Sequence, residues 1–184
     1  MQTKRVAVKI RGIAPLLHHA YKETMEERQS KRTTVVLSKE EEAKNALYTD
    51  EKGKIYQPSN HIEGALIKAS INFKWSGKKT FKDLMKSAVL IEPQEIYFPE
   101  APNYKIDVRT AVIPATRGRV FAIRPRWDKW TMEFTVNILD AENIGLENLK
   151  KIMEYAGRFV GIGTFRPKFG RFEVVDFKEV KEKA

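Results

Sequence analysis

The densest chemistry in the sequence lies between Val108 and Trp130, where Arg109, Arg117, Arg119, Arg124, Arg126 and Lys129 are interleaved with Phe121, Trp127 and Trp130. Guanidinium and ammonium groups neutralise phosphates, and exposed aromatic rings stack on unpaired bases; single-stranded nucleic acid is held by that combination. Duplex grooves call for an inserted helix or ribbon instead. The five arginines and Trp127 are therefore candidate strand contacts. The opposing reading makes Phe121 and Trp130 core residues and leaves the arginines to solvate a loop. Against it, only Asp107 and Asp128 stand in this stretch to offset the charge.

A second basic cluster surrounds glycines. From Gly157 to Phe172 the chain places Arg158, Arg166, Lys168 and Arg171 around Gly161 and Gly163. Glycine lets backbone amides come close to an anion, and the cations favour one there. This is not a Walker loop, which needs Gly-x-x-x-x-Gly-Lys-Ser/Thr after a strand and before a helix; here the glycines follow a helix and precede a strand. An ordinary helix C-cap with a tight turn would use the same glycines, so both readings stay open.

The third candidate is the pair His18 and His19, with His61 far along the chain. An imidazole beside a phosphodiester could take the proton of a ribose 2′-hydroxyl as general base and cleave RNA without a metal. Neighbouring residues of an extended segment point to opposite sides, so the pair does not chelate. With no cysteine and no His-x-x-x-His helix, no zinc site is expected. No second acid or base sits at a recognisable spacing, which puts a structural or strand-contacting role ahead of catalysis. Nucleophile-elbow, paired-acid and dinucleotide-binding motifs are missing as well. The expectation is a non-enzymatic binder without cofactor or metal, the enzymatic alternative being an endonuclease that uses His18 or His19.

Composition agrees with such a partner. The 184 residues carry 34 Lys plus Arg against 24 Asp plus Glu, a net +10, and 42% of them are hydrophobic. A chain of this length buries roughly 70% of its unfolded surface, so one folded domain over residues 1–184 needs no disulfide or metal. With no cysteine, a disulfide framework and a thiol nucleophile are excluded. No apolar run reaches the roughly 20 residues that span a bilayer, and the first residues alternate charge with Val and Ile, so a cytoplasmic protein without a membrane partner is expected.

These residues must be positioned by strands and helices. Val6, Val8 and Ile10 alternate with polar neighbours between Lys4 and Ile13, the pattern of a half-buried strand, and Trp130 to Ile138 repeats it more cleanly. Asn60 as cap and Glu63 three residues on predict a capping box, opening a helix whose inner face is Ile62, Leu66, Ala69 and Phe73 and whose end lies near Trp75 to Gly77. A second helical piece covers Thr80 to Ala88, followed by short strands at Ala88 to Ile91 and Glu95 to Phe98. Leu146, Leu149, Ile152, Met153, Ala156 and Val160 recur at helical spacing, and Arg171 to Phe177 closes the order with a strand. Lys22 to Lys44 reads as a surface excursion, and Asp50 to Gly53 as a tight turn. Strand, helix, strand, strand, helix, strand is the α+β, ferredoxin-like (RRM-like) order, with insertions at about 22–56 and 99–129. The second insertion is the arginine-rich one, a loop or long hairpin leaving the core.

Three segments together resemble the RAMP superfamily of CRISPR-associated RNA-binding proteins. Tyr56 to Lys68, with its Pro58, Ser59, Gly64-Ala65-Leu66 and basic Lys68, is similar to the family's loop-to-helix segment; Gly161 to Phe172 is similar to its glycine-rich loop before the last strand. The arginine-rich insertion sits where backbone subunits of Cascade-type complexes carry a thumb. The chain also resembles uncharacterised phage and prophage proteins, through Pro15 to His19, Val112 to Arg119 and Phe165 to Phe172. The resemblance implies a binder of single-stranded RNA, with single-stranded DNA as the other polymer, working as several copies along the strand in a CRISPR-related or phage setting. It adds His19, Ser59 and Lys68 to the groove that Arg109, Arg117, Arg119, Arg124, Arg126, Arg166, Lys168 and Arg171 would form. A further alternative is a protein-interaction module that mimics a Cascade backbone subunit.

Overall fold

Alternation makes β1 (Lys4–Gly12) a strand with one apolar side: Val6, Val8 and Ile10 are buried while Arg5, Ala7 and Arg11 are exposed. In the computed structural model, which describes residues 2–20, 37–112 and 115–180, this strand lies inside a sheet. Its antiparallel neighbours are β10 (Thr131–Ile138) and β11 (Phe172–Val180), and β6 (Val89–Glu92) pairs with the far edge of β10, for a spatial order β11-β1-β10-β6. The register sets Val6 opposite Val136, Val8 opposite Phe134 and Ile10 opposite Met132, so the apolar side chains share one face.

Two helices cover that face. α2 (Ser59–Ser70) turns Ile62, Ala65, Leu66 and Ala69 inward, and α5 (Leu146–Tyr155) does the same with Leu149, Ile152 and Met153. These are i, i+3, i+4 stripes, and each large aliphatic side chain so buried contributes about 1.5–3 kcal/mol. α5 runs on into one π-helical turn, Ala156–Val160, which Gly161 ends in the left-handed region at φ 73°. Gly157 sits in that turn directly against the Phe172 carbonyl of β11, a spacing that leaves no room for a Cβ. The chain is thus mixed α and β with antiparallel sheets, as expected.

The remaining elements are short. They are β2 (Leu16–Leu17), α1 (Lys39–Asn45), β3 (Gln57–Pro58), β4 (Lys74–Ser76), β5 (Lys79–Thr80), α3 (Lys82–Ala88), β7 (Glu95–Ile96) and α4 (Ala141–Ile144). A long antiparallel hairpin, β8 (Lys105–Val112) and β9 (Arg119–Trp127), forms its own sheet with β2 in the order β2-β9-β8. Gly53, at φ 78°, closes the expected turn after Asp50, whose carboxylate accepts from the Lys52 and Lys54 amides. Among the described residues no helix is long and apolar enough to cross a membrane.

Several boundaries differ from the sequence reading. No capping box opens α2: Pro58 is the N-cap, Asn60 lies inside the helix, and the Glu63 carboxylate instead accepts from the Ile91 amide. Proline needs no partner for an amide it lacks, and the Ser59 N–H donates to the Gln94 carbonyl. α2 also stops at Ser70, because Lys74–Ser76 folds back on Lys79–Thr80 around Gly77. The described end of the first excursion is helical from Lys39 onward, and there Ser38 and Glu41 form the kind of capping box expected at Asn60. The polar stretch Lys22 to Arg32, with Val35 and Val36, lies outside the described residues, as do Ile113 and Pro114 of the hairpin.

Gly157→Ala should therefore force α5 and β11 apart and lower the unfolding free energy by about 1–3 kcal/mol. Gly64→Ala, on the open side of α2 with nothing within 4 Å of its Cβ position, should raise it by up to about 1 kcal/mol. Denaturant unfolding of both variants checks the pair.

Candidate nucleic-acid interface

The hairpin has two unlike faces. Cross-strand partners share a face, and the register sets Lys105 opposite Arg126, Asp107 opposite Arg124 and Arg109 opposite Ala122 on the charged one. Ile106 with Pro125, Val108 with Ile123, and Thr110 with Phe121 form the other. The charged face packs on the glycine-rich loop: the Arg124 guanidinium lies 4.4 Å from the Phe165 ring centroid, and that of Arg109 lies 4.4 Å from Phe169. Arginine stacks on aromatic faces through charge and planarity. The two basic segments, distant in sequence, are therefore one surface.

Carboxylates sort the arginines. Asp107 accepts from Arg109 Nη2 at 2.9 Å and from Arg126 Nη1 at 3.3 Å, and Arg126 Nε also donates to Asp128 at 2.7 Å. Burial pushes Asp107 up, but the hydrogen bonds and charges of Arg109 and Arg126 outweigh it and hold the carboxyl below its usual range. Much of the charge of these two arginines is thus spent within the hairpin. Arg124 is different: its Nε and Nη1 are buried and make no hydrogen bond, and burial lowers its pKa. Among the described residues Arg117, Arg119, Arg158, Arg166 and Lys168 are exposed and carry no carboxylate partner, and Arg171 has a buried Nε without a partner.

Other candidates are placed differently from the sequence reading. Trp127 is a correction: it is 1% exposed, donates from Nε1 to the Ala101 carbonyl and packs on His18, Phe98 and Tyr104, so no base can stack on it. Trp130 is equally buried, whereas Phe121 is 73% exposed at the far end of the hairpin's apolar face. Ser59 is buried and its amide is taken by Gln94. Lys68 is exposed in the last turn of α2, two turns beyond His61. The glycine amides are a second correction. The Gly161 N–H donates to Ala156, and the Ile162 and Thr164 N–H groups donate to Gly170 and Leu17, so these three amides are taken within the fold. Gly163, at φ 76°, rests on the Leu17 carbonyl where a Cβ would collide.

The histidines form a group that the sequence does not announce. His18 is fully buried, with its Nε2 3.0 Å from Gln57 Oε1, while Gln57 Nε2 lies 2.7 Å from His61 Nδ1. Burial, chiefly, lowers His18 to about 3, so it is neutral at any physiological pH. His19 is exposed; burial and the neighbouring Arg124 lower its pKa. His61 is partly buried and is lowered by burial and by Arg166. Gln57 and His61 are four residues apart across a helix start, and Phe165 and Phe169 four apart in the loop; those spacings are the signals that could have drawn attention to them.

The open face of the main sheet is built differently. It carries ion pairs between strands, Lys9 with Glu133, Arg11 with Glu173 and Arg5 with Glu92, and no aromatic ring among the described residues. Base stacking on a sheet, the RRM mode, needs such rings.

No protein-family model matches the sequence. No curated protein matches it either. Solved structures do. A chain in the cryo-EM structure of the type III-B Cmr-beta bound to cognate target RNA superposes with a TM-score of 0.64 at 13% identity, over 98% of this chain and 61% of that one. Cmr6 from Pyrococcus furiosus superposes with a TM-score of 0.50 at 11% identity, over 94% and 99% of the two chains. The fold is RAMP-like. This chain spans about 61% of the length of the first of these chains. The likeness to phage proteins finds no support in these comparisons.

Asp107→Asn should leave Arg109 and Arg126 without their shared carboxylate and cost about 1–2 kcal/mol at neutral pH, allowing for the partial exposure of both arginines. Because the folded-state pKa is depressed, that stability is complete above the unfolded value of about 3.9 and lost as pH falls through the folded one. Denaturant unfolding should show a difference from wild type at neutral pH that closes in strong acid.

Proposed function

We propose that this chain binds single-stranded nucleic acid without cleaving it, RNA ahead of single-stranded DNA, as a subunit of a CRISPR-related effector assembly. The observation that carries the reading is the joined basic surface, on which exposed Arg166 and Lys168 stand without carboxylate partners beside the part-exposed ring of Phe165, itself stacked under Arg124. Cations for phosphates and a ring for a base are what a single strand needs. The likeness to a chain from a complex bound to target RNA supports RNA as the polymer. The order β11-β1-β10-β6, with α2 and α5 as crossovers on one face, supports a ferredoxin-like βαββαβ core, from which β8 and β9 would extend as the arginine-rich thumb.

The non-catalytic reading rests on the histidines. His18 is buried and bonded to Gln57, and the charged group acting on His19 is Arg124, a cation and not a second acid or base. A role for protein partners has its own support in the hairpin's apolar face, where Val108, Val112 and Phe121 are exposed. We propose that copies of this chain or other effector subunits cover it when several subunits line one strand in the cytoplasm.

Fluorescence anisotropy against matched single-stranded RNA, single-stranded DNA and duplex DNA over a salt series tests the reading. Single-stranded RNA should bind most tightly and remain uncut on a gel. Arg117→Ala combined with Arg119→Ala should weaken binding across sequences and reduce the salt slope by about 1.4, at about 0.7 per lost phosphate contact. Weak binding that ignores the polymer would sink the proposal.

A further inference from the structure

A row of aromatic rings lies where α2 and α5 end, outside the hairpin and the glycine-rich loop. The ring centroids of Phe73 and Tyr155 are 5.6 Å apart, edge to face, and those of Tyr155 and Phe159 are 4.6 Å apart. Trp75, on β4, is two residues beyond Phe73, within about 7 Å along the chain. The Phe73 amide donates to the Ser70 carbonyl at the end of α2, and the amide of buried Phe81 donates to the Phe73 carbonyl, so the β4–β5 hairpin is tied to the core at its base. Phe73 and Tyr155 pack against that core, but the two ends of the row do not: Phe159 is 58% exposed and Trp75 39%. Large rings clustered in water mark a contact surface, since burial in the fold does not account for them.

The charge around the row says what it contacts. Between Gly64 and Lys82 the chain carries Lys68, Lys74, Lys78, Lys79 and Lys82 and no acidic residue. All five are exposed, as is Arg158 beside Phe159, and among the described residues none of the six pairs with a carboxylate. Lys79 Nζ lies over the Trp75 ring, 5.9 Å from its centroid. The flanking acids are Glu63, whose carboxylate is taken by the Ile91 amide, Asp83 and Glu154, so the balance is positive. Lysine is depleted at the cores of protein–protein interfaces, whereas exposed rings among cations are how a protein holds unpaired bases on a phosphate backbone.

Resting on the strand-binding reading above, we propose that this row is a second single-strand site, on which bases stack at Phe159 and Trp75 while Lys74, Lys79 and Arg158 meet the phosphates. The site is continuous with the first. Phe159 stands six residues before Phe165, at most roughly 20 Å along a fully extended chain, so one strand reaches both rings. Stacking of this kind accepts any base, because every base has a π-face.

Trp75 reports on its own site. The chain has three tryptophans, and Trp127 and Trp130 are each 1% exposed, so the solvent-exposed emission comes from Trp75. Wild type titrated with oligouridylate, followed in parallel by anisotropy of the labelled strand and by tryptophan emission, should show that component quenched with the midpoint of binding. This measurement needs no variant and so does not depend on one folding. Trp75→Ala and Phe159→Ala should each weaken binding by about 5- to 100-fold and leave the salt slope unchanged, because a stacked ring neutralises no phosphate. Trp75→Phe, which keeps a ring, should recover most of the loss. Lys74→Ala combined with Lys79→Ala should instead lower the slope by about 1.4. Strand binding that leaves Trp75 emission unchanged, or affinity indifferent to both single alanine variants, would overturn the proposal, assign the row to a protein partner and leave the strand-binding reading intact. No binding by the wild type would overturn that reading itself, and the second site with it.

Discussion

The segment between β1 and His18 is bonded to both parts of the candidate interface, the glycine-rich loop and the hairpin. The Ile13 and Ala14 amides donate to Arg171, the Pro15 carbonyl accepts from Gly170, the Leu17 carbonyl accepts from Thr164, and the His18 amide donates to Pro125 of β9. Trp130 adds an indole hydrogen bond to the Ala14 carbonyl. One short run of extended backbone thus holds the glycine-rich loop on one side and the hairpin on the other. Each buried peptide group must find a partner. Here those partners are distributed between two distant parts of the chain, and meeting them brings Arg109 and Arg124 over Phe169 and Phe165. The glycines belong to the same constraint, since Gly163 lets this backbone and the loop approach to contact distance and Gly170 lets the loop close on its own Ile162.

The constraint explains why charge density and available charge are different quantities. Six cations between Arg109 and Lys129 read as one basic stripe in the sequence. In the folded chain two of the arginines are bound to Asp107, an acidic residue nearly buried between them. They build the hairpin's inner face more than they present it. What faces outward is a smaller set, Arg117 and Arg119 near the hairpin's end and Arg158, Arg166 and Lys168 around the glycine-rich loop, while Arg124 lies over Phe165 with its Nε and Nη1 buried. Charges already paired within the fold hold no loosely bound counterions, so among the hairpin and loop cations only this smaller set is open to an anionic partner.

Much of the secondary structure is legible in the sequence because burial on one face leaves a period there. β1, β10 and α5 follow their apolar patterns almost to the residue. The errors fall where a tertiary partner decides. The cap of α2 is misplaced in the sequence reading because Glu63 bonds across to β6 instead of to its own first turn. Trp127 is misplaced because an aromatic among arginines looks the same in sequence whether it faces a base or the core. Its immediate neighbours do not decide that; His18, Phe98 and Tyr104, all distant in sequence, do. The basic loop and the arginine stretch are both legible, but their contact is not, since nothing in either segment points at the other until Phe165 and Phe169 are seen beneath the guanidinium groups.

Burial also divides the labour among the histidines. A histidine beside a basic surface is open to two uses, and exposure decides between them: His18 is neutral and inward, His19 is outward, and His61 lies between. The buried ring cannot change charge at ordinary pH, and for that reason it can serve as a fixed reference for its neighbours. Gln57 can pass that orientation along because an amide has one donor end and one acceptor end. A carboxylate at the same place would accept from both rings and favour their charged forms. The amide gives each ring its complementary partner without placing a charge among His18, Trp127 and Phe98, where an unpaired charge would be costly.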